Sequence, residues 1–448
     1  MSESRLQEDM PRLGVGRSLA YAAGMVPAAY GVQLITNWLM YYYYPGEGKG
    51  KMYMALGTYV VIQLIGRVVD SVADPLVGYI SDRTRSRWGR RIPYIIFGTP
   101  VLAVTMALMW FPLTEGPSMA NNIWLAVNLS VFWFAYTVVV APHLSLLPEI
   151  APENEERNRL GGWMALGEVL GYIIALVGFA ILIETFKEGV SFGPISFSNG
   201  FKFVGVIAGV WILILFWLTW WFIKEKPAAR SKEVPFNFFQ AARETLKNPT
   251  YPPFLIMIAL VRLLVDVVFV LVPYYTVATL ELVEGDVAIF QGCMIIGSVF
   301  FFPVVIKLAN IKGKKWVFNK GLLSFAIVLP LPVILPFLPI DSAGGLKIAG
   351  AIVFASFAPG AAVFLVFSRV VLTDIMDFDE KVTGYRREAM YNGIEGLITK
   401  LAAGMAPVIV ALNFFLFSEG KGILTAFVMN ALIGLIGYLV FKSYPIEK

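Results

Sequence analysis

The sequence predicts an all-α polytopic membrane protein: twelve transmembrane helices in two six-helix bundles, with both termini cytoplasmic. Three observations predict it. The 448 residues are 58% hydrophobic and only 15% charged, with a mean hydropathy of +0.70. A soluble domain has no interior large enough to hide that much apolar surface. The chain also divides into apolar runs of roughly 20 residues, the length of a bilayer crossing. The loops between the runs alternate in basic charge, as successive crossings require.

The spans fall near 18–43, 52–80, 92–113, 121–147, 160–184, 200–223, 253–280, 287–308, 316–338, 346–373, 389–416 and 422–442. The polar start, MSESRLQEDMPRLGVGRS, lacks a signal-peptide shape, so the first span is expected to serve as the insertion signal. Arg83, Arg85, Arg87, Arg90 and Arg91 follow the second span, and Arg157 and Arg159 follow the fourth. Lys224, Lys226, Arg230, Lys232, Arg243 and Lys247 follow the sixth. Lys312, Lys314 and Lys315 follow the eighth, and Lys381, Arg386 and Arg387 the tenth. The intervening loops carry few basic residues, which places the basic loops and both termini in the cytoplasm.

The longest hydrophilic break, 225–252, divides a first bundle at 1–224 from a second at 253–448. Its FNFFQAARETL portion fits a short amphipathic helix at the membrane surface. The turns GYISDR and NIKGKK occupy equivalent places in the two halves. Six plus six helices with matching basic turns is the layout of a major facilitator, a transporter whose central cavity opens alternately to each side.

Several classes are excluded. The net charge of +5 sits at span ends rather than on a folded polar face, so no nucleic-acid partner is expected. One cysteine, Cys293, forbids structural disulfides and thiol metal clusters. No phosphate-binding lysine loop, His/Cys metal spacing or Ser-His-Asp arrangement is recognised around the one histidine, His143, so the chain is not expected to be an enzyme. His143 follows Pro142 at a span end, where packing is the expected role. The aromatic run Trp38 to Tyr44 reads as an interfacial belt.

The informative residues are charges inside spans, each costing roughly 2.5–3.5 kcal/mol on insertion scales. Asp70 and Asp74 are one turn apart on one helix face, three and seven residues after Arg67. Two carboxylates this close hold a proton or a cation between them, so Na⁺ or H⁺ is the expected coupling ion. Lys400 lies in the eleventh span and is the natural partner of these aspartates across a cavity; Glu395, five residues earlier, faces elsewhere. Arg262 and Asp266 in the seventh span pair with each other or face substrate. Glu168, flanked by Gly167 and Gly171, lines the cavity or bonds across a close helix contact.

On DSVADPLVGYISDRTRSRWGRR, TDIMDFDEKVTGYRREAMYNG and Lys400, nearly the whole chain resembles the glycoside–pentoside–hexuronide:cation symporters, the melibiose permease family of the major facilitators. The resemblance implies a cation site at Asp70 and Asp74, with a hydroxyl from Thr137, and a coupling lysine at Lys400. It also departs from that family. The two positions where its sugar carriers grip hydroxyls with aspartates are Ala29 and Val140 here, and a sugar's hydroxyls would go unpaired against them. The residue before Asp74 is Ala73 rather than asparagine, which leaves Na⁺ against H⁺ open, with Na⁺ favoured.

YAAGMVP, DPLVG, GEVLG and FKSYPIEK are similar to the sodium-dependent lysophosphatidylcholine symporters of animals, a closer resemblance. Asp266 falls on an acidic position of that family, and Met164 replaces its fifth-span arginine. An apolar cavity wall at Ala29, Val140 and Met164 suits a lipid tail. The expectation is therefore a monomeric cation-coupled symporter in a bacterial inner membrane, with no cofactor beyond the coupling ion. Its expected substrate is a lysophospholipid-like amphiphile. The alternatives are a sugar or glycoside symporter and, in a different class, an uncoupled lipid scramblase or transporter-like sensor. Asp82, Arg90, Arg91, Glu149, Arg369, Asp374 and Arg386 are expected to form cytoplasmic gate salt bridges between the bundles.

Overall fold

A computed structural model describes residues 14–46, 50–151, 153–225, 243–383 and 388–442. Lys226, Arg230, Lys232, Arg386 and Arg387, most of the expected surface helix at 236–246, and the side chains of Asp82 and Arg369 lie outside the described residues.

The helical segments in order are α1 (Val15–Tyr43), α2 (Leu56–Arg83), α3 (Ile92–Leu108), α4 (Met119–Ser145), α5 (Glu155–Thr185) and α6 (Gly200–Phe222). Then come α7 (Tyr251–Thr279), α8 (Glu284–Lys312), α9 (Lys314–Phe337), α10 (Ala343–Thr383), α11 (Glu388–Phe417) and α12 (Glu419–Lys442). Ten segments are long and apolar enough to cross a bilayer unaided. The exceptions have evident causes. Helix α2 carries Arg67, Asp70 and Asp74, and α3 has only 17 residues. The hairpin β1 (Val190–Phe192) and β2 (Ile195–Phe197), paired antiparallel with Val190 opposite Phe197, was not anticipated. Its strands are too short to give a period.

Start signals act where the apolar runs begin. Ser118, Asn199 and Ser342 each accept a backbone N–H of the first turn of α4, α6 and α10, satisfying donors that lipid cannot. Helix α2 separates its faces. Val61, Ile65, Val68, Val72, Leu76 and Ile80 recur at three- and four-residue spacing and are exposed. Arg67, Asp70 and Ala73 on the other face are buried.

Within the first half α2 packs on α4, α3 on α4 and α6, and α1 on α5. Within the second, α7 packs on α11 and α12, α8 on α10, and α9 on α10 and α12. The halves meet where α2 touches α11, α1 touches α7 and α5 touches α8. The α1–α5 approach explains two glycines: a Cβ on Gly167 would lie 2.6 Å from the Ala22 carbonyl oxygen, and one on Gly171 would strike that of Val26.

The run from Trp38 to Tyr43 is not an interfacial belt. All six side chains are at most 5% exposed. The phenols of Tyr42 and Tyr43 donate to the carbonyls of Trp110 (2.8 Å) and Met109 (2.7 Å), and Tyr274 donates to Tyr44 O at 2.6 Å. Helix α1 lies between its neighbours rather than against lipid, so its aromatic end is packing material.

Candidate functional site

The site begins with the buried face of α2. Asp70 is 1% exposed, and its Oδ1 accepts from Lys400 Nζ at 2.8 Å and from Thr137 Oγ1 at 2.9 Å. Lys400 Nζ also lies 2.8 Å from both carboxylate oxygens of Asp74, and Thr137 Oγ1 lies 3.4 Å from Asp74 Oδ1. One ammonium thus bridges two carboxylates one turn apart, with a hydroxyl from α4 beside them. The carboxylates differ in access: the Asp74 side chain is 37% exposed, and that of Lys400 23%. The cluster is therefore sealed behind Asp70 and reachable past Asp74.

Arg67 completes the layer. Its Nη1 lies 3.8 Å from Asp70 Oδ2, an oxygen with no hydrogen bond of its own. The guanidinium, buried, stacks over Trp133 at 4.0 Å in a cation–π contact. Two glycines make room for it. A Cβ on Gly404 would come 2.8 Å from Arg67 Cγ, and one on Gly66 would meet the Trp133 ring at 2.9 Å. Sequence reasoning missed Trp133 and Gly404. Their signal was spacing: Trp133 precedes Thr137, and Gly404 follows Lys400, by four residues, so each shares a helix face with a site residue.

Arg262 and Asp266 pair with each other, Nε to Oδ2 at 2.7 Å. The other Asp266 oxygen is buried without a hydrogen bond, as is Gln33 Oε1. Both residues border a narrow cavity, whose remaining walls include Tyr172, Phe269, Met294 and Phe325. Ala29, Val140 and Met164, expected on the cavity wall, do not line it. Each is 7–9% exposed in the packed core, and Ala29 Cβ sits against Gly171 where α1 and α5 close. Their burial answers a helix–helix contact, which the sequence does not distinguish from a cavity lining. Glu168 is half-buried near Tyr136, whose hydroxyl donates to Ala28 O at 2.9 Å. His143 is fully buried and stacked on Tyr21 at 4.4 Å, and packs as expected.

Of the expected gate residues, Arg90, Arg91, Glu149 and Asp374 form ion pairs within their own halves, and Arg386 and the side chains of Asp82 and Arg369 lie outside the described residues. Arg90 reaches Glu149 at 2.6 Å and Arg91 reaches it at 3.8 Å, all within the first half. Asp374 pairs with Lys314 at 2.7 Å, within the second. Glu225, unforeseen, is the centre of the first group: its carboxylate accepts the backbone N–H of Arg90 (2.6 Å), Arg91 (2.7 Å) and Ile92 (3.1 Å) at the start of α3. Burial pushes the neighbouring Glu149 carboxyl above its ordinary value, against the pull of Arg90 and with the repulsion of Glu225.

Hydrogen bonds cross between the halves on the opposite face and in the Lys400 layer. Asn37 and Gln291 exchange two amide bonds (3.1 and 2.6 Å), and Tyr41 donates to Glu284 at 3.2 Å. Helices α1, α5 and α7, which meet at or near this seam, each carry a π turn, at Ile35–Leu39, Ile174–Gly178 and Tyr275–Thr279. Such turns often mark functional positions.

Comparison with known proteins finds the MFS/sugar transport protein family, matched over residues 20–440. An uncharacterized symporter of Synechocystis is 29% identical over 41% of this chain, and the match spans 33% of that relative's length. The sodium-dependent lysophosphatidylcholine symporter 1 of Gallus gallus is 23% identical, covering 100% of this chain and 89% of its own. Among solved structures, a mutant of the nucleoside transporter NupG superposes with a TM-score of 0.68 over 96% of this chain and all of that one, at 12% identity.

Proposed function

Because the chain belongs to the MFS/sugar transport protein family and is an integral membrane protein, we propose that it is a cation-coupled symporter driven at the Asp70–Asp74–Thr137 cluster. One observation carries this reading: Lys400 Nζ lies 2.8 Å from both aspartates, where a coupling cation would bind. The layer contains Arg67, Lys400 and Arg262 against Asp70, Asp74 and Asp266, so it is neutral without an added ion. A bound monovalent cation breaks that balance unless Lys400 withdraws from a carboxylate. Displacement of Lys400 thereby links ion binding to rearrangement of α2 against α11, and frees an ammonium for an anionic group on the substrate. Na⁺ is the preferred ion, because two carboxylates and a hydroxyl offer oxygen ligands rather than a single proton acceptor.

Positive-inside charge places the arginine-rich face in the cytoplasm. The bonds across the opposite face then describe a state closed to the outside. Relatives in this family are symporters, and one is named for sodium-dependent lysophosphatidylcholine transport. A lysophospholipid-like amphiphile is the preferred substrate here. The support is the cavity beside α7, apolar at Val268, Phe269, Met294 and Phe325 and charged at Arg262 and Asp266. A sugar or glycoside is the second reading, favoured by the family description.

The test is uptake into proteoliposomes of labelled lysophosphatidylcholine and of a labelled disaccharide, each with and without an inward Na⁺ gradient at fixed pH. Na⁺-stimulated lysolipid uptake is expected, with Asp70→Asn and Asp74→Asn each reducing accumulation at least about a hundredfold, the loss of about 3 kcal/mol of ion-binding energy. Wild-type accumulation by both variants would end the cation-site assignment. Sugar uptake alone would replace the substrate and leave that assignment standing.

A further inference from the structure

We propose that the groove between α3 and α4 binds one acyl chain of an anionic glycerophospholipid, whose phosphate is held by Arg85 and Arg87. The groove has about 740 Å³ of empty space, walled by Phe97, Val101, Phe134 and Val138. It is not a smooth part of the lipid-facing surface. A Cβ on Gly98 would lie 2.8–2.9 Å from Val138 and Val139, so α3 and α4 approach closely there and form a floor. Phe97, 64% exposed, and Phe134, 43% exposed, stand outward as rims.

The groove is chemically graded along its length. Its only polar lining comes from Thr84 and Tyr94, at the end that meets the arginine-rich turn. Their hydroxyls lie 2.5 Å apart, and Thr84 also donates to Ile80 O at 2.9 Å. Tyr94 therefore donates to Thr84, and both hydroxyl protons are used. Recognition of an anion falls to the adjoining turn. Arg85 and Arg87 are exposed, Arg87 lies over the Trp88 ring at 4.2 Å, and Trp88 meets Phe97 edge-on at 6.2 Å. The basic charge is thus joined through an aromatic pair to the rim of the apolar groove. An apolar slot that ends at a turn carrying two exposed arginines complements a hydrocarbon tail with a negative headgroup. A zwitterionic lipid would fill the slot but gain little from the arginines. The site is separate from the Asp70 layer and does not depend on what is transported.

The experiment is native mass spectrometry of the full chain in detergent, with equimolar phosphatidylglycerol and phosphatidylcholine of identical acyl chains. The phosphatidylglycerol adduct is expected to exceed the phosphatidylcholine adduct on the order of tenfold. Arg85→Gln/Arg87→Gln is expected to abolish the preference, and Val101→Trp, which fills the groove, to remove the adduct. Phe134→Ala, which opens the rim, serves if Val101→Trp does not fold, and is expected to weaken the adduct several-fold. Equal binding of the two lipids overturns the headgroup assignment. A preference that survives both groove variants overturns the groove, leaving a surface charge effect only.

Discussion

The two faces of this molecule are stitched differently. On the face away from the arginine-rich turn, hydrogen bonds run between the halves: Asn37 with Gln291, Tyr41 with Glu284, Tyr274 with Tyr44. On the arginine-rich face, Arg90 and Arg91 bind Glu149 and Glu225, and Lys314 binds Asp374, each pair within one half. The difference separates two tasks. Bonds within a half keep each bundle rigid through a transport cycle, whereas bonds between halves exist in one state and must break in the other. A carrier that alternates is expected to place its costly, buried polar pairs in the second class, because they decide which state is populated.

The largest expected effect comes from breaking a cross-half pair. Gln291→Leu removes the Gln291 amide from the buried Asn37 side chain, which is 1% exposed. Loss of a buried amide pair costs about 1–3 kcal/mol, and that cost falls only on the state in which the amides meet. Maleimide labelling of Pro45→Cys, in a Cys293→Ser background, is expected to rise from about fivefold to a hundredfold. Unchanged labelling would mean that the amide pair does not hold this face shut. A smaller effect, of another kind, is expected on the arginine-rich face. Glu225→Gln keeps an acceptor but weakens the charge assistance of three bonds to the start of α3. Thermal unfolding should show the loss as a lowered Tm, with Pro45→Cys labelling unaltered. A change in labelling would show that this cluster also reports on the state of the carrier.

The smallest expected effect is in pH. Glu149 has its carboxyl held above the ordinary value, mainly by burial. A raised value in the folded state means that the folded protein binds the extra proton. The stabilising contribution is therefore complete at low pH and is lost as pH rises through the raised value. Glu149→Gln should flatten that part of the Tm–pH curve and leave the rest in place. A curve that keeps its slope would assign the proton to another group.

Much of this was legible in the residues. Apolar runs near 20 residues and alternating basic loops placed the helices to within a few residues, since lipid obliges each span to satisfy its own backbone. Helix α10 runs further, to Thr383, because its charged end continues beyond the apolar run. Asp70, Asp74, Thr137 and Lys400 were visible because charge within a span is costly and because the motif around them is distinctive. Their convergence on one ammonium was not visible. Asp70 and Lys400 are 330 residues apart, and no local pattern encodes that contact.

The sequence by itself determined which segments are apolar helices, which of them carry charge, and which face of α2 the charge occupies. These follow from transfer energies and helical periodicity, which are local properties. Only the tertiary structure decided that Ala29 closes a helix contact rather than a cavity, and that Tyr41 to Tyr43 are core rather than belt. It alone also joined Glu149 to its own bundle. Each of those depends on which neighbour fills the space beside a residue, and packing sets that across hundreds of residues of chain.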